Sequence, residues 1–263
     1  MRPLWALLWT MACHGLFQLI AYAFSRFRES LDIVTLGLAQ ALAYVSCIFL
    51  MLHVHEPNAP LRQSLGLRPT HPGLGLVGIG LGLSLKLPAE SLTSFTERYF
   101  PTSEAQLLSR LALYRTDDLG ALAGLIAVLC LAAPLVEELF FRGASYGRLV
   151  KYGRGVAGAV SGVTFVVVHP DMRHWPALCA VALVLSYLRV IGGSLLPCLG
   201  LHVAFNAAGV YALVTDAASP TRPLEISTLA LLASWLVLGL LLVLLVRLAD
   251  NPHSIRARGE DRA

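Results

Sequence analysis

Residues 119–140 read LGALAGLIAVLCLAAPLVEELF. The run is apolar until its last turn, where two glutamates follow each other. A hydrocarbon core of about 30 Å needs on the order of 20 mostly apolar residues when an α-helix crosses it. The stretch therefore predicts a membrane-spanning helix that carries acidic side chains near one end.

The composition extends this prediction to the whole chain. Of its 263 residues, 56% are apolar and 14% are charged, whereas a soluble domain is about 25% charged. We therefore expect an all-α, polytopic transmembrane helix bundle with about eight spans, in which residues 1–263 form a single integral membrane domain. The predicted spans are Leu4–Phe24, Ile33–Val54, Gly73–Leu92, Leu119–Phe140, Gly155–His169, Trp175–Ile191, Leu195–Val214 and Ile226–Leu248.

The distribution of charged residues predicts how the chain is oriented in the membrane, and it does not indicate a nucleic-acid-binding surface. The net charge is only +4, and it comes mostly from arginines beside apolar runs, which suits anchoring in a lipid bilayer. Placing both termini in the cytoplasm puts most lysines and arginines on that side, with 249–263 as a charged cytoplasmic tail. We expect a multi-pass protein of the bacterial inner membrane, with 95–118 as an amphipathic surface segment. Alternatively, the first apolar run is a signal peptide.

The glutamate pair divides into two roles. Glu138 and Arg142 are four residues apart on a helix, in the order that favours an ion pair. Glu137 points about 100° away and has no such partner. Because the charged form of a carboxylate is poorly solvated among apolar groups, Glu137 is suited to take a proton from water. The alternative is that both acids are interfacial charges at the end of a span.

Two further polar motifs follow in later spans. Phe165-Val-Val-Val-His169 places a histidine at the end of an apolar segment, and His202-Val-Ala-Phe-Asn206 places two polar side chains on one helical face. Each could be a hydrogen-bonded packing residue. In a membrane span, however, such groups must face the bundle interior or a water-filled cavity.

Together these side chains supply what amide hydrolysis requires. Glu137, aided by His169, could activate a water molecule, while His202 and Asn206 could donate hydrogen bonds to the oxyanion. A buried serine or cysteine with a matching histidine and acid at helical spacing does not occur, which disfavours a covalent nucleophile.

The three motifs in this order resemble those of the CPBP family, the CAAX proteases and bacteriocin-processing enzymes also called Abi proteins. The motifs here are Glu137-Glu138-Leu-Phe-Phe-Arg142, Phe165-Val-Val-Val-His169 and His202-Val-Ala-Phe-Asn206. The resemblance implies a catalytic core over 119–214, with Glu137 as base, His169 assisting it, and His202 and Asn206 as oxyanion hole. It implies that Arg142 is structural, and we expect the same of Glu138 and Phe165.

The expected activity is that of a glutamic-type intramembrane endopeptidase. Its substrate would be a membrane-associated protein or peptide precursor, cleaved near its C-terminus. Zinc held by Glu137, His169 and His202 is possible, although the chain lacks an HExxH motif and we favour a mechanism without a cofactor. The alternatives are a non-catalytic membrane scaffold or immunity protein, and a transporter that uses the same glutamate and histidines.

Overall fold

The computed structural model describes residues 1–28, 31–114, 118–215 and 226–250, and the regular structure within these ranges is helical. The helices are α1 (Pro3–Ser25), α2 (Ile33–His55), α3 (Leu61–Ser64), α4 (Pro72–Glu97), α5 (Glu104–Leu113), α6 (Leu119–Tyr152), α7 (Arg154–Val167), α8 (Trp175–Gly192), α9 (Leu196–Thr215) and α10 (Thr228–Ala249).

Seven of the helices in the described ranges are long and apolar enough to cross a membrane, namely α1, α2, α4, α6, α9, α10 and the helical stretch Met172–Gly192 that contains α8. The apolar helix α7 has 14 residues, which corresponds to about 21 Å and is shorter than a typical hydrocarbon core. The predicted all-α polytopic bundle with about eight spans is confirmed.

Helix α6 differs most from its predicted span, because it continues past Phe140 to Tyr152. Two stretches of it, Ala127–Ala132 and Leu139–Ser145, have π-helical hydrogen bonding. Pro134 lies just after the first stretch and lacks the N–H that would bond to the carbonyl four residues earlier. The glutamate pair lies at the end of the short α-helical segment Ala133–Glu138 between them. Widened turns of this kind often occur at functional sites.

Glycines bring α4 into close contact with α9. A Cβ placed on Gly78 would lie 2.3 Å from the carbonyl oxygen of Pro197, and one on Gly82 would lie 2.3 Å from that of Leu201. Neither position has room for a side chain, so the two backbones approach each other closely, as small residues allow in membrane helices. This contact fixes α9, and with it the third predicted motif, against α4.

Two hydrophobic clusters flank the bundle interior. One joins α1, α2, α6 and α7 around side chains such as Tyr44, Phe140 and Phe165. The other joins α4, α8, α9 and α10 around Leu81, Leu185 and similar residues. The segment of α6 with the glutamates faces α2 on one side and α9 on the other, so the predicted site lies where the two packed halves meet.

Two further sequence predictions concern the segment 95–118 and the C-terminal tail. Within 95–118, the structure contains the end of α4 and the helix α5, and Arg173 donates a hydrogen bond from Nη1 to Thr102 Oγ1 at 2.9 Å. The location of this segment on the membrane surface stays a prediction, and its residues 115–117 lie outside the described residues. Of the predicted tail 249–263, residues 251–263 lie outside the described residues.

Candidate active site

Glu138 is a buried charge whose two polar contacts converge on one of its oxygens, while Oε2 has no hydrogen-bond partner among the described residues. Its side chain is completely buried, and Oε1 accepts hydrogen bonds from Arg142 Nη1 at 3.1 Å and from His202 Nδ1 at 2.9 Å. The predicted pairing of Glu138 with Arg142 is therefore present. The bond to His202 was not predicted, because nothing in the spacing of residues 64 positions apart connects them. Glu138 orients the imidazole of the third motif.

Arg142 and Phe165 pack against Glu138 and His202. The Arg142 guanidinium is fully buried, and its carbon lies 4.5 Å from the centre of the Phe165 ring. That ring also contacts the rings of His169, at 4.9 Å between centroids, and of His202, at 5.8 Å. Cation–π contact partly replaces the water that a buried guanidinium loses. Phe165 thus separates the two histidines and sets their positions.

Glu137 faces the interior of the bundle, with 8% of its surface exposed. Its Oε1 accepts a hydrogen bond from Gln40 Nε2 at 2.7 Å. Its Oε2 lies 3.7 Å from His202 Nε2, which is too far for a direct hydrogen bond. The Gln40 amide therefore holds Oε1 of Glu137. Oε2 lies beside the His202 imidazole and can accept a hydrogen bond from another group.

Gln40 is the site residue that sequence reasoning missed. It is a single amide in α2, which is otherwise apolar or small around it. A polar side chain in the middle of a membrane span is itself a signal of a functional site. Its partner could not be inferred, since Gln40 and Glu137 are 97 positions apart.

His169 lies just beyond the helix predicted to contain it, because α7 ends at Val167. Its Nδ1 is 2.7 Å from the carbonyl oxygen of Phe165, and Trp175 Nε1 donates to the His169 carbonyl at 2.9 Å. If Nδ1 carries the proton and donates to that carbonyl, Nε2 is left as a proton acceptor. Pro170 follows directly and accounts for the end of the helix here.

Asn206 is one turn along α9 from His202. Its Nδ2 donates a hydrogen bond to the carbonyl oxygen of Leu129, in the first π-helical stretch of α6, at 2.7 Å. This bond occupies one of its two amide N–H groups. The structure therefore brings Glu137, Glu138 and His202 into direct contact. His169 is connected to this group through the ring of Phe165. Asn206 is hydrogen-bonded to α6, the helix that carries both glutamates.

A zinc centre would require three protein ligands that converge on one ion. Within the part of the chain that the structure describes, histidines, cysteines and acids do not form a group of three that could hold a metal ion. Both nitrogens of His202 are directed at carboxylates, and Nδ1 of His169 is directed at a backbone carbonyl. In this arrangement Glu137, His169 and His202 do not converge on one point, and the zinc dependence of the protein stays a question for experiment.

The fold and the site define a class: a multi-pass integral membrane protein with carboxylates and an imidazole in contact inside the bundle. Residues 119–208 match the family model described as Type II CAAX prenyl endopeptidase Rce1-like. Over this segment the match confirms the predicted resemblance to the CPBP family of CAAX proteases. The matched segment covers all three motifs. Neither the curated proteins nor the solved structures gave a match to this chain.

Proposed function

We propose that this chain is a glutamic-type intramembrane endopeptidase that cleaves a membrane-associated protein or peptide precursor near its C-terminus. The name of the matched family makes a prenylated CAAX tail the first substrate to test. The observation that carries the proposal is the His202 imidazole, which lies between the carboxylates of Glu137 and Glu138 inside the bundle.

In the proposed mechanism, Glu137 is the general base. Gln40 holds Oε1, so Oε2 accepts the proton of an attacking water. His169, through its free Nε2, is the second acceptor that orients this water. The O–H bond of water breaks as its oxygen attacks the scissile carbonyl, and the proton on Glu137 then passes to the departing amine.

The oxyanion is stabilised from α9. Glu138, held by Arg142, accepts a hydrogen bond from Nδ1 of His202 and so keeps Nε2 beside Glu137, where the scissile carbonyl would bind. A doubly protonated imidazole can donate from both nitrogens, and Asn206 adds the N–H that Leu129 does not use. Preorganised donors of this kind typically contribute a factor of about 10²–10³ each to kcat.

The decisive experiment is the Glu137→Gln variant, which keeps the shape of the side chain and its bond to Gln40 but removes the base. In proteoliposomes with a prenylated CAAX peptide, we expect a loss of kcat of at least about 10³-fold, with binding of the peptide retained. The matched control is Glu97→Gln, at the peripheral end of α4, with unchanged kcat. Unchanged cleavage by Glu137→Gln would overturn the proposal.

The same preparation tests for a metal. The metal-free mechanism predicts that a strong chelator leaves the rate of cleavage unchanged. A complete loss of cleavage that added zinc reverses would contradict it and would assign Glu137, His169 and His202 to a metal.

A further inference from the structure

A second ion pair lies inside the membrane-spanning part of the chain. Lys86 and Glu90 are one turn apart in α4, and Lys86 Nζ contacts Glu90 Oε1. Their side chains are 19% and 34% exposed, whereas those of Arg142 and Glu138 are 0% exposed. Charges within a span are costly and mark a functional site by default. This pair is open on one side, so another charged group can reach it.

The ammonium of Lys86 reaches the face of α9 that carries the candidate active site. Nζ lies 5.3 Å from the centre of the Phe205 ring, and a Cβ on Gly209 would be 3.2 Å from Nζ. At about 100° per residue, Gly209 faces within about 20° of the direction of His202. The lysine side chain therefore passes Phe205 and ends on the side of the helix that carries His202 and Asn206.

The spacing along α9 fits the end of a peptide. From His202 to Gly209 the helix rises about 10 Å, and from Asn206 to Gly209 about 4.5 Å. An extended chain covers roughly 3.3 Å per residue, so about one to three residues separate a carbonyl held at the oxyanion donors from a group held by Lys86. A substrate cleaved near its C-terminus carries a carboxylate at that distance.

We propose that Lys86 binds the C-terminal carboxylate of the substrate, and this inference rests on the proposed function. Glu90 is the internal carboxylate that pairs with the ammonium when no substrate is bound. Exchange of Glu90 for the substrate keeps the lysine paired within the membrane, which avoids the cost of an isolated charge. Because Gly209 has no side chain, Nζ can lie close to α9 at this point.

Binding to the Glu137→Gln protein tests the proposal without turnover. The two ligands are a prenylated CAAX peptide with a free C-terminal carboxylate and the same peptide as its C-terminal amide, measured in nanodiscs. We expect the acid to bind at least about tenfold more tightly than the amide, as a charge-assisted contact predicts. Lys86→Met should remove this preference without changing the Kd of the amide, and Lys86→Arg should retain it.

A second variant guards against misfolding, because Lys86→Met leaves Glu90 unpaired. The double variant Lys86→Met/Glu90→Leu replaces the pair by apolar residues, and it should bind acid and amide equally. Equal Kd values for acid and amide before these substitutions would overturn the proposal, as would a preference that survives in the double variant, or a lack of binding of both peptides.

Cleavage by the unmodified enzyme separates this proposal from the previous one. Equal kcat/KM values for acid and amide, with Glu137 required for both, would leave the peptidase mechanism in place and remove the Lys86 subsite. A Lys86-dependent binding preference without cleavage of either peptide would support the subsite and contradict the proposed function.

Discussion

Glu138 and Arg142 show why a membrane protein would keep two buried charges. Both side chains are completely buried, and a single oxygen of Glu138 accepts from the guanidinium and from His202. Bringing such charges out of water is expensive, and their mutual attraction offsets that cost only in a good geometry. The structure is consistent with an orienting role, because the carboxylate that accepts from His202 Nδ1 is itself held by Arg142.

Gln40 holds the carboxylate of Glu137 in place, and removing the Gln40 amide should lower kcat. In Gln40→Leu, Glu137 Oε1 loses its only hydrogen bond in the described structure and the carboxylate can rotate. A hydrogen bond to a charged group contributes about 1.5–3 kcal/mol, so we expect kcat to fall roughly 10- to 100-fold with KM little changed.

Steady-state kinetics on the prenylated peptide measures this effect. Gln18→Leu in α1 is the matched control, since the Gln18 amide contacts only the exposed His14 ring at 3.4 Å. A wild-type kcat in Gln40→Leu would remove Gln40 from the mechanism.

At the scale of the elements, α6 and the contact of α4 with α9 place the site. The π-helical turns of α6 lie on both sides of the segment Ala133–Glu138, and one of them supplies the carbonyl that anchors Asn206. The close approach of α4 brings α9 to the glutamates and carries Lys86 to the same region. A regular α6, or a wider spacing between α4 and α9, would separate the three motifs.

Gly82→Ala should therefore damage the enzyme although it adds only a methyl group. Its Cβ would lie 2.3 Å from the carbonyl oxygen of Leu201, the residue before His202. Overpacking of this kind costs about 1–3 kcal/mol, and here it pushes α9 away from α4 and so displaces His202. We expect a lower unfolding temperature in detergent and a fall in kcat/KM of at least about tenfold.

Gly75→Ala is the control in the same helix, because nothing lies within 4 Å of its added Cβ. Its unfolding temperature and kcat/KM should match those of the wild type. Equal behaviour of the two variants would contradict the inferred backbone contact at Gly82.

For the whole molecule, the number of bilayer crossings depends on α7. Seven helices are long enough to span, and α7 is a shorter apolar helix that ends next to His169. If α7 crosses, the number of crossings is even and both termini lie on one face. Its roughly 21 Å length then requires local thinning of the bilayer or a connection that lies below the surface.

We predict that both termini lie on the cytoplasmic face, because that arrangement places most lysines and arginines inside. Reporter fusions to each terminus, one active only in the cytoplasm and one only outside, measure this directly. A fusion to the connection 57–60 serves as internal control, and a fusion to the α7–α8 connection, residues 168–171, reports directly whether α7 crosses. Reporters that place the two termini on opposite faces would show that α7 does not cross.

The fold class and most of the candidate site residues could be predicted from the amino-acid sequence alone. Long apolar runs have one stable outcome in a bilayer, since only helices satisfy every backbone hydrogen bond within a single segment. The pairing of Glu138 with Arg142 was also predictable, because helical geometry brings residues four positions apart together. The polar side chains of the three motifs were visible as exceptions to their apolar surroundings.

Only the tertiary structure decided which of these groups meet. The bonds from Gln40 to Glu137, from His202 to Glu138 and from Asn206 to Leu129 join residues on different helices, and helical periodicity carries no information about which helices are neighbours. The π-helical turns of α6 and the position of Lys86 beside α9 likewise depend on packing between helices. The physical reason is that local spacing determines the face of a side chain, whereas its partner depends on how the helices pack together.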